Sequence, residues 1–202
     1  KFGNRMLKHN IEKMNNLIVG SADLSSSNKV LFKQPTFNSK NFSGSFIHYG
    51  VREHAMAAIS NGISTYNIIP ICATYLGFIN YFLASIRLSA LSKHKVIYIL
   101  THDSVSLGED GPTHQPIESL TILRSLPDIL VFRPADGNEL SVSYSIAFNN
   151  NGPSCLCLAR HATEQLPNKD KIEEIKKGAY VLYQNCDNKD IRLIIMATGS
   201  EV

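Results

Sequence analysis

Residues 95–100 of this 202-residue sequence read KVIYIL, and this run is the most direct indication of its fold class. A single lysine is followed by five apolar or aromatic residues without a polar interruption. Continuous apolar runs of this length are typical of strands that are covered on both faces, as in parallel sheets flanked by helices. We therefore predict a buried parallel strand here.

Similar runs alternate with helix-like segments on both sides of this strand. The further predicted strands are LIVG at 17–20, SFIHY at 45–49, IIPICATY at 68–75, ILVF at 129–132 and SCLCLAR at 154–160. Helical periodicity or composition marks residues 4–16, 52–64, 78–92 and 116–126, and one more helix is expected to follow an N-cap at Asp136. The alternation predicts an α/β fold, a three-layer domain with a mostly parallel sheet flanked by helices.

The composition supports a folded domain and excludes some functions. Hydrophobic residues make up 44% of the chain, enough for a sizeable core, and the net charge is only +3. Without a dense basic stripe, nucleic-acid binding is not expected, and no apolar stretch is long enough for a membrane span. Cys155 and Cys157 would share one face of a strand as small core residues, and the absence of a C-x-x-C pair favours a reducing, intracellular location.

We expect two domains and a longer parent chain. A boundary near residue 170 would separate a domain at 1–170 from the truncated beginning of another at 171–202. The first residue is Lys, and the sequence stops at ATGSEV just after an apolar run. Both features indicate a piece of a longer polypeptide.

The segment THDSVSLGEDGPTHQP at 101–116 follows the KVIYIL strand and is rich in groups that can bind or react. In parallel sheets, ligands bind at the carboxyl ends of strands. A metal site, proton transfer, and hydrogen bonding to a phosphorylated polyhydroxyl substrate all suit this set, and a solvated loop is the alternative. The set consists of His102, Asp103, Glu109, Asp110 and His114.

Three further features each allow a structural and a functional interpretation. Glu53 either stabilises a helix start through the helix dipole or presents a proton partner for a ring nitrogen. The aromatic residues Tyr75, Phe78, Tyr81 and Phe82 form either a core stripe or a pocket for a flat heterocycle. Arg160 is either a surface residue or a phosphate ligand. A dinucleotide-binding domain is disfavoured because no G-x-G-x-x-G follows the first strand.

Several motifs together resemble the transketolase family. They are GSADLSSSN, YGVREHAMAAISNGIS, RLSALS, THDSVSLGEDGPTHQPIESL, LRSLPDILVFRPADGNE and ATGSEV, in this order. The resemblance spans nearly the whole chain and implies the family's pyrimidine-binding domain plus the start of its C-terminal domain. The implied activity is the thiamine-diphosphate-dependent transfer of a two-carbon ketol unit from a ketose phosphate to an aldose phosphate, in the pentose phosphate pathway.

The resemblance also implies residue roles. Glu53 would hydrogen-bond N1′ of the cofactor's aminopyrimidine, and His114 would help to move protons. Tyr75, Phe78, Tyr81 and Asp23 would complete the cofactor-binding set; Tyr75 stands where the family usually has Phe. Ser27, His102, Asp110, His114 and Arg160 would bind the sugar phosphate.

Other implied features lie outside this sequence. The diphosphate and a divalent cation, Mg²⁺ or Ca²⁺, would be bound by an N-terminal domain, in a cytoplasmic homodimer whose active site lies between subunits. We therefore expect the isolated piece to be inactive, and either to self-associate or to contain a mobile segment at residues 24–44. The alternatives are dihydroxyacetone synthase, another thiamine-dependent transferase, or a non-catalytic interaction module of the same fold.

Overall fold

Six short strands form one sheet in which every neighbouring pair is parallel. The computed structural model describes residues 2–202. The strands are β1 Leu17–Ser21, β2 Phe46–His48, β3 Ile69–Tyr75, β4 Ile97–Thr101, β5 Leu130–Phe132 and β6 Ser154–Leu158. Their order across the sheet is β2-β1-β3-β4-β6-β5.

Helices cover both faces of this sheet, which confirms the predicted three-layer α/β fold. The longer ones are α1 Phe2–Lys13, α2 Glu53–Ser64, α3 Leu83–Leu91, α4 Ser119–Ser125 and α5 Gly137–Asn149. Residues of α2, α3 and α4 share one core cluster with one face of the sheet, whereas α1 and α5 pack on the other face. The predicted N-cap of α5 is confirmed, because the Asp136 side chain accepts a hydrogen bond from the backbone N–H of Glu139 at 2.9 Å.

Strand β4 shows why the residues that follow Lys95 in the KVIYIL run are apolar or aromatic. Tyr98 and Leu100 belong to the core on one face of the sheet, and Ile97 and Ile99 belong to the core on the other. The alternation follows from the two-residue period of a strand. All four side chains are buried, so each has to be apolar or find an internal partner. Cys155 and Cys157 of β6 are likewise buried in the core on one face, as predicted.

The segment predicted as one helix over 78–92 is two elements. A 3₁₀ helix spans Leu76–Tyr81, and α3 begins only at Leu83. The break lies at Phe82, whose φ of −137° is not helical and whose side chain is completely buried. Burial of this ring in the core therefore coincides with the change of helix type.

After β6 the chain contains little regular structure. One short helix, α6, spans Ile172–Ile175, and the part of the chain described beyond Leu158 contributes no strand to the sheet. The apolar run Leu193–Met196 is exposed, with Met196 at 90% of its full accessibility. The domain boundary near residue 170 stays a prediction.

Candidate active site

The carboxyl ends of all six strands meet at one edge of the sheet, and every residue predicted for the site follows one of these ends. The parallel arrangement brings together side chains that are far apart in the sequence. Asp23 and Ser27 follow β1, Glu53 follows β2, Tyr75 ends β3 with Phe78 and Tyr81 behind it, His102, Asp110 and His114 follow β4, and Arg160 follows β6.

Aromatic rings form the central wall of this edge. Tyr75 and Phe78 are stacked with ring centroids 5.5 Å apart, and Tyr75 lies 3.8 Å from the His102 ring. His114 contacts the same wall edge-on, 5.1 Å from Phe78. Tyr81, 6.0 Å from Phe78, is 67% exposed and extends the wall outward. Of the predicted core stripe, Phe82 is the member that is fully buried, so the pocket interpretation fits Phe78 and Tyr81 better.

The loop that carries His114 approaches this wall closely at Gly77. A Cβ atom on Gly77 would lie 3.1 Å from the carbonyl oxygen of His114, tighter than an ordinary contact. Glycine at this position lets the loop after β4 rest against the 3₁₀ helix. The imidazole of His114 is held locally, with Nδ1 2.8 Å from the hydroxyl of Thr113.

Glu53 is the first residue of α2, directly after the turn that leaves β2. The residue as a whole is 8% exposed, and α2 packs against both β3 and the 3₁₀ helix of the aromatic wall. No side-chain hydrogen bond or ion pair joins Glu53 to another of the residues that the structure describes. A nearly buried carboxyl group without an internal partner fits a ligand that offers a hydrogen bond. The residues present therefore fit a flat, nitrogen-containing ring beside Glu53.

His102 is buried at the end of β4, and its backbone lies in the left-handed region with φ of 62°. This conformation is uncommon for residues other than glycine and is often found at functional sites. Burial lowers the pKa of His102 to about 4, and the positive charge of Arg160 acts in the same direction. The ring is therefore neutral near pH 7.

A chain of buried hydrogen bonds connects His102 with the loop after β1. The hydroxyl of Thr101 lies 2.8 Å from His102 Nδ1 and donates to Asn28 Oδ1 at 2.6 Å. Asn28 in turn donates to the hydroxyl of Ser21 at 3.3 Å. The neighbouring residue Ser27 is exposed, as is Asp23, whose φ is 62°. Sequence patterns gave no reason to select Asn28, because its partner Thr101 is far along the chain.

A second set of residues ties three segments together, and of this set only Asp103 was selected from the sequence. Asp103, buried beside His102, accepts a hydrogen bond from Arg133 Nε at 2.8 Å. Arg133 also pairs with Glu201 and donates to the carbonyl oxygen of Thr198 at 2.9 Å. Desolvation raises the pKa of Asp103, although Arg133 opposes the shift. Gly199, with φ of 64°, allows the Arg133 side chain to lie close to the backbone of residue 199, since a Cβ there would be 2.7 Å from Arg133 Cγ.

The loops after β4 and β6, together with residues 199–202, line a cavity of about 650 Å³ next to His102. His102, Arg160 and His161 supply its nitrogen-bearing side chains, and residues 199–202 form part of its lining. Arg160 Nη1 lies 3.2 Å from Glu109 of the loop after β4. The cavity therefore combines Arg160 and hydrogen-bonding groups, which suit a polar anionic ligand, with two acidic residues, Glu164 and Glu201. Within residues 2–202, no three or more His, Cys, Asp or Glu side chains are grouped so that they could hold a metal ion.

Comparison with known proteins identifies the family. The family model described as "Transketolase, pyrimidine binding domain" matches residues 2–165. The chain belongs to this family. As a transketolase pyrimidine-binding domain, it is 48% identical over 211 aligned residues to Transketolase 1 of Saccharomyces cerevisiae, a match that covers 100% of the chain and 30% of that protein.

Solved structures agree with this assignment. A transketolase from Pichia stipitis, in complex with sedoheptulose 7-phosphate, superimposes with a TM-score of 0.93 at 43% identity, covering 100% of the chain and 30% of that chain. A split-gene transketolase, described as an inactive β4 tetramer, matches with a TM-score of 0.67 at 27% identity and covers 84% of the chain and 53% of that one. The transketolase pyrimidine-binding domain thus spans about 30% of the length of the curated relatives. Among its described residues, no helix is long and apolar enough to cross a membrane.

Proposed function

We propose that this chain forms the pyrimidine-binding part of a transketolase active site. The observation that carries the proposal is Glu53, a nearly buried acidic residue that begins α2 at the carboxyl edge of the sheet, where α2 packs against the 3₁₀ helix of the aromatic wall. A carboxyl group next to stacked rings is complementary to an aminopyrimidine, which offers a flat face and a ring nitrogen. Membership of the family supports the same assignment.

Thiamine diphosphate is the proposed cofactor; when bound, it supplies the electron sink for passing a two-carbon ketol unit from a ketose phosphate to an aldose phosphate. Glu53 would hold a proton shared with N1′ of the pyrimidine ring. Tyr75, Phe78 and Tyr81 would line the ring, and Asp23 would lie near the cofactor and the subunit interface. The stacking of Tyr75 on Phe78 supports this assignment, because it presents aromatic surface at the edge where Glu53 begins α2.

The cavity beside the wall is the proposed site of the sugar phosphate. Arg160, His102 and Ser27 would bind its phosphate end, and Asp110 would contact a hydroxyl group. His114, against the wall and thus next to the proposed ring site, would move protons at the reacting carbons. The Pichia stipitis relative in complex with sedoheptulose 7-phosphate supports this substrate class.

The rest of the site would come from the parts of a transketolase that lie outside the segment to which this chain aligns. We propose that the diphosphate and a divalent cation, Mg²⁺ or Ca²⁺, are bound there, and that the parent is a cytoplasmic homodimer of the pentose phosphate pathway. The 202-residue chain alone would then be inactive. The inactive tetramer of the split-gene relative is consistent with this expectation.

A chimera tests the proposal directly. The matched segment of the Saccharomyces cerevisiae relative is replaced by this chain, and ketol transfer from xylulose 5-phosphate to ribose 5-phosphate is measured. The chimera should be active, and Glu53→Gln should lower kcat on the order of 10²–10⁴-fold, because the amide cannot exchange the proton. Glu12→Gln, an exposed position on α1, is the matched control and should leave kcat unchanged.

The same assay distinguishes the rival functions. Preference for formaldehyde over ribose 5-phosphate as the acceptor would indicate dihydroxyacetone synthase. A folded chimera without any ketol transfer would indicate a non-catalytic module. Near-normal turnover of Glu53→Gln would show that the carboxyl group does not have the proposed role.

A further inference from the structure

We infer that Asn28 and Thr101 are positioning residues that fix His102 as its Nδ1–H tautomer, so that His102 can bind an anionic group only after taking up a proton at Nε2. The tautomer follows from the hydrogen bonds alone. The link to an anionic substrate rests on the proposed function. Neither Asn28 nor Thr101 needs to contact the substrate for this role.

Ser21 has a single hydroxyl hydrogen, which is already used in a hydrogen bond. Ser21 Oγ donates to the carbonyl oxygen of Ala73 at 2.9 Å and accepts from the backbone N–H of Leu24 at 3.3 Å. The side chain of Asn28 lies 3.3 Å away, so its NH₂ group has to be the donor to Ser21 Oγ. The opposite orientation of the amide would face Oδ1 against an oxygen without a free hydrogen.

This orientation directs Asn28 Oδ1 at Thr101. The Thr101 hydroxyl donates its only hydrogen to Oδ1 at 2.6 Å, so it can only accept at its other contacts. The contact with His102 Nδ1 at 2.8 Å is therefore a bond that Nδ1–H donates. Ser21, Asn28, Thr101 and His102 are all buried, so water does not compete for these positions.

Nε2 is then the unprotonated nitrogen of the neutral ring. His102 lines the cavity that also holds Arg160, but a bare nitrogen lone pair repels the oxygen of a phosphate. The alternative tautomer would turn the Thr101 hydroxyl away from Asn28 and leave a buried oxygen without a partner. Uptake of a proton at Nε2 is the change that keeps the whole chain of hydrogen bonds and supplies a donor to the anion.

The surroundings keep the free ring neutral. The charged and titratable groups that face it are Arg160 after β6, Asp110 and His114 in the loop after β4, His161 beside Arg160, and the stacked Tyr75 at the end of β3. Burial, Arg160 and the two other histidines lower the pKa of His102, while Asp110 acts in the opposite direction. An incoming phosphate offsets the positive field of Arg160 and thereby favours protonation.

The chain contains a matched comparison. Thr113 and His114 repeat the arrangement, with the threonine hydroxyl 2.8 Å from Nδ1 of the next histidine. This pair is exposed, and no asparagine takes up the Thr113 hydrogen among the residues that the structure describes. Thr113 can therefore donate to Nδ1 or accept from it, and the tautomer of His114 is not fixed.

Nitrogen-15 NMR of the histidine rings in this chain tests the tautomer. His102 should show a protonated Nδ1 and an unprotonated Nε2 at neutral pH. Thr101→Val removes the acceptor and should shift His102 toward the Nε2–H form, whereas Thr113→Val should leave His102 unchanged. Asn28→Ala should give a mixture, because the Thr101 hydroxyl is then free to turn. An Nε2–H tautomer in the wild-type chain would overturn the inference.

Titration with inorganic phosphate tests the coupled protonation. As phosphate saturates the site, monitored at the Arg160 side chain, His102 Nε2 should become protonated in the wild-type chain at pH 7. In Thr101→Val, phosphate should bind without this change, because the Nε2–H form already donates. Saturation of Arg160 without protonation of His102, or no response of either residue, would contradict the coupling. Neither the NMR measurement nor the phosphate titration uses ketol transfer. The outcome of both is therefore independent of whether the chimera is active.

Discussion

His102 combines burial with a left-handed backbone, and its ionisation has a predictable effect on stability. Burial lowers its pKa from 6.5 to about 4. A histidine with a lowered pKa in the folded state contributes stability above its unfolded pKa, and the contribution is lost as the pH falls. Between about pH 6.5 and 4, His102 is protonated in the unfolded chain but remains neutral in the folded chain.

We therefore predict that the free energy of unfolding of the wild-type chain falls relative to that of His102→Asn as the pH is lowered from about 6.5 to 4. Asparagine is chosen because it tolerates a positive φ. Urea unfolding at several pH values measures the difference, which should be constant above pH 7. His9→Asn on the exposed face of α1 is the control and should show no trend. A pH-independent difference for His102→Asn would mean that the ring is protonated equally in both states.

Sequence reasoning at the residue scale found the groups that follow strand ends but not the groups that hold them. Glu53 and His102 could be selected because each lies directly behind an apolar run, where a parallel sheet exposes its binding edge. Asn28 and Arg133 could not, since their partners Thr101 and Asp103 lie at and just after the end of β4, far from them in the sequence. Only the folded path of the loop after β1 brings Asn28 to Thr101.

The elements themselves were predictable where one periodicity dominates. All six strands were predicted, and the central strands β3 and β4 are the clearest, because burial on both faces makes them largely apolar. The 3₁₀ helix was not, because the spacing of three residues in Tyr75, Phe78 and Tyr81 also fits an α-helix. A 3₁₀ helix has three residues per turn, so it aligns Phe78 and Tyr81 on one side, while Phe82 turns into the core.

Helix α2 carries polar groups into the core, and these fix how it packs. Asn61 donates to the carbonyl oxygen of Ser85 at 3.0 Å and accepts from the hydroxyl of Ser89 at 2.5 Å. Ser89 also contacts the hydroxyl of Tyr98 on β4 at 2.6 Å, and Ser60 lies 2.9 Å from the thiol of Cys72. The network therefore links α2 to α3 and to two central strands.

We predict that Asn61→Leu destabilises the chain by about 1–3 kcal/mol, because buried hydroxyl groups lose their partner. Chemical denaturation measures the change. Asn149→Leu is the matched control: this asparagine is exposed and bonds only to its own helix, so the effect should stay within about 0.5 kcal/mol. Equal effects of the two substitutions would show that the network adds nothing beyond a local helix contact.

At the scale of the whole molecule, the core is complete around the sheet, whereas the segment after β6 leaves apolar side chains in water. Leu193, Ile194, Ile195 and Met196 are consecutive and all exposed. An uninterrupted exposed apolar run is unusual for a stable monomer and is prone to pair with another chain. A second copy of this chain offers the same run, so association should grow with protein concentration.

We predict that sedimentation velocity will show concentration-dependent self-association of the chain, and that Ile195→Lys will reduce it. A charge within the run opposes its burial against a second copy. Tyr66→Lys is the matched control, because Tyr66 is a single exposed aromatic residue beyond the end of α2, away from the run. If Ile195→Lys and Tyr66→Lys associate to the same extent as the wild-type chain, the contact lies elsewhere. A wild-type chain that stays monomeric at all concentrations would show that the run is covered within its own chain in solution.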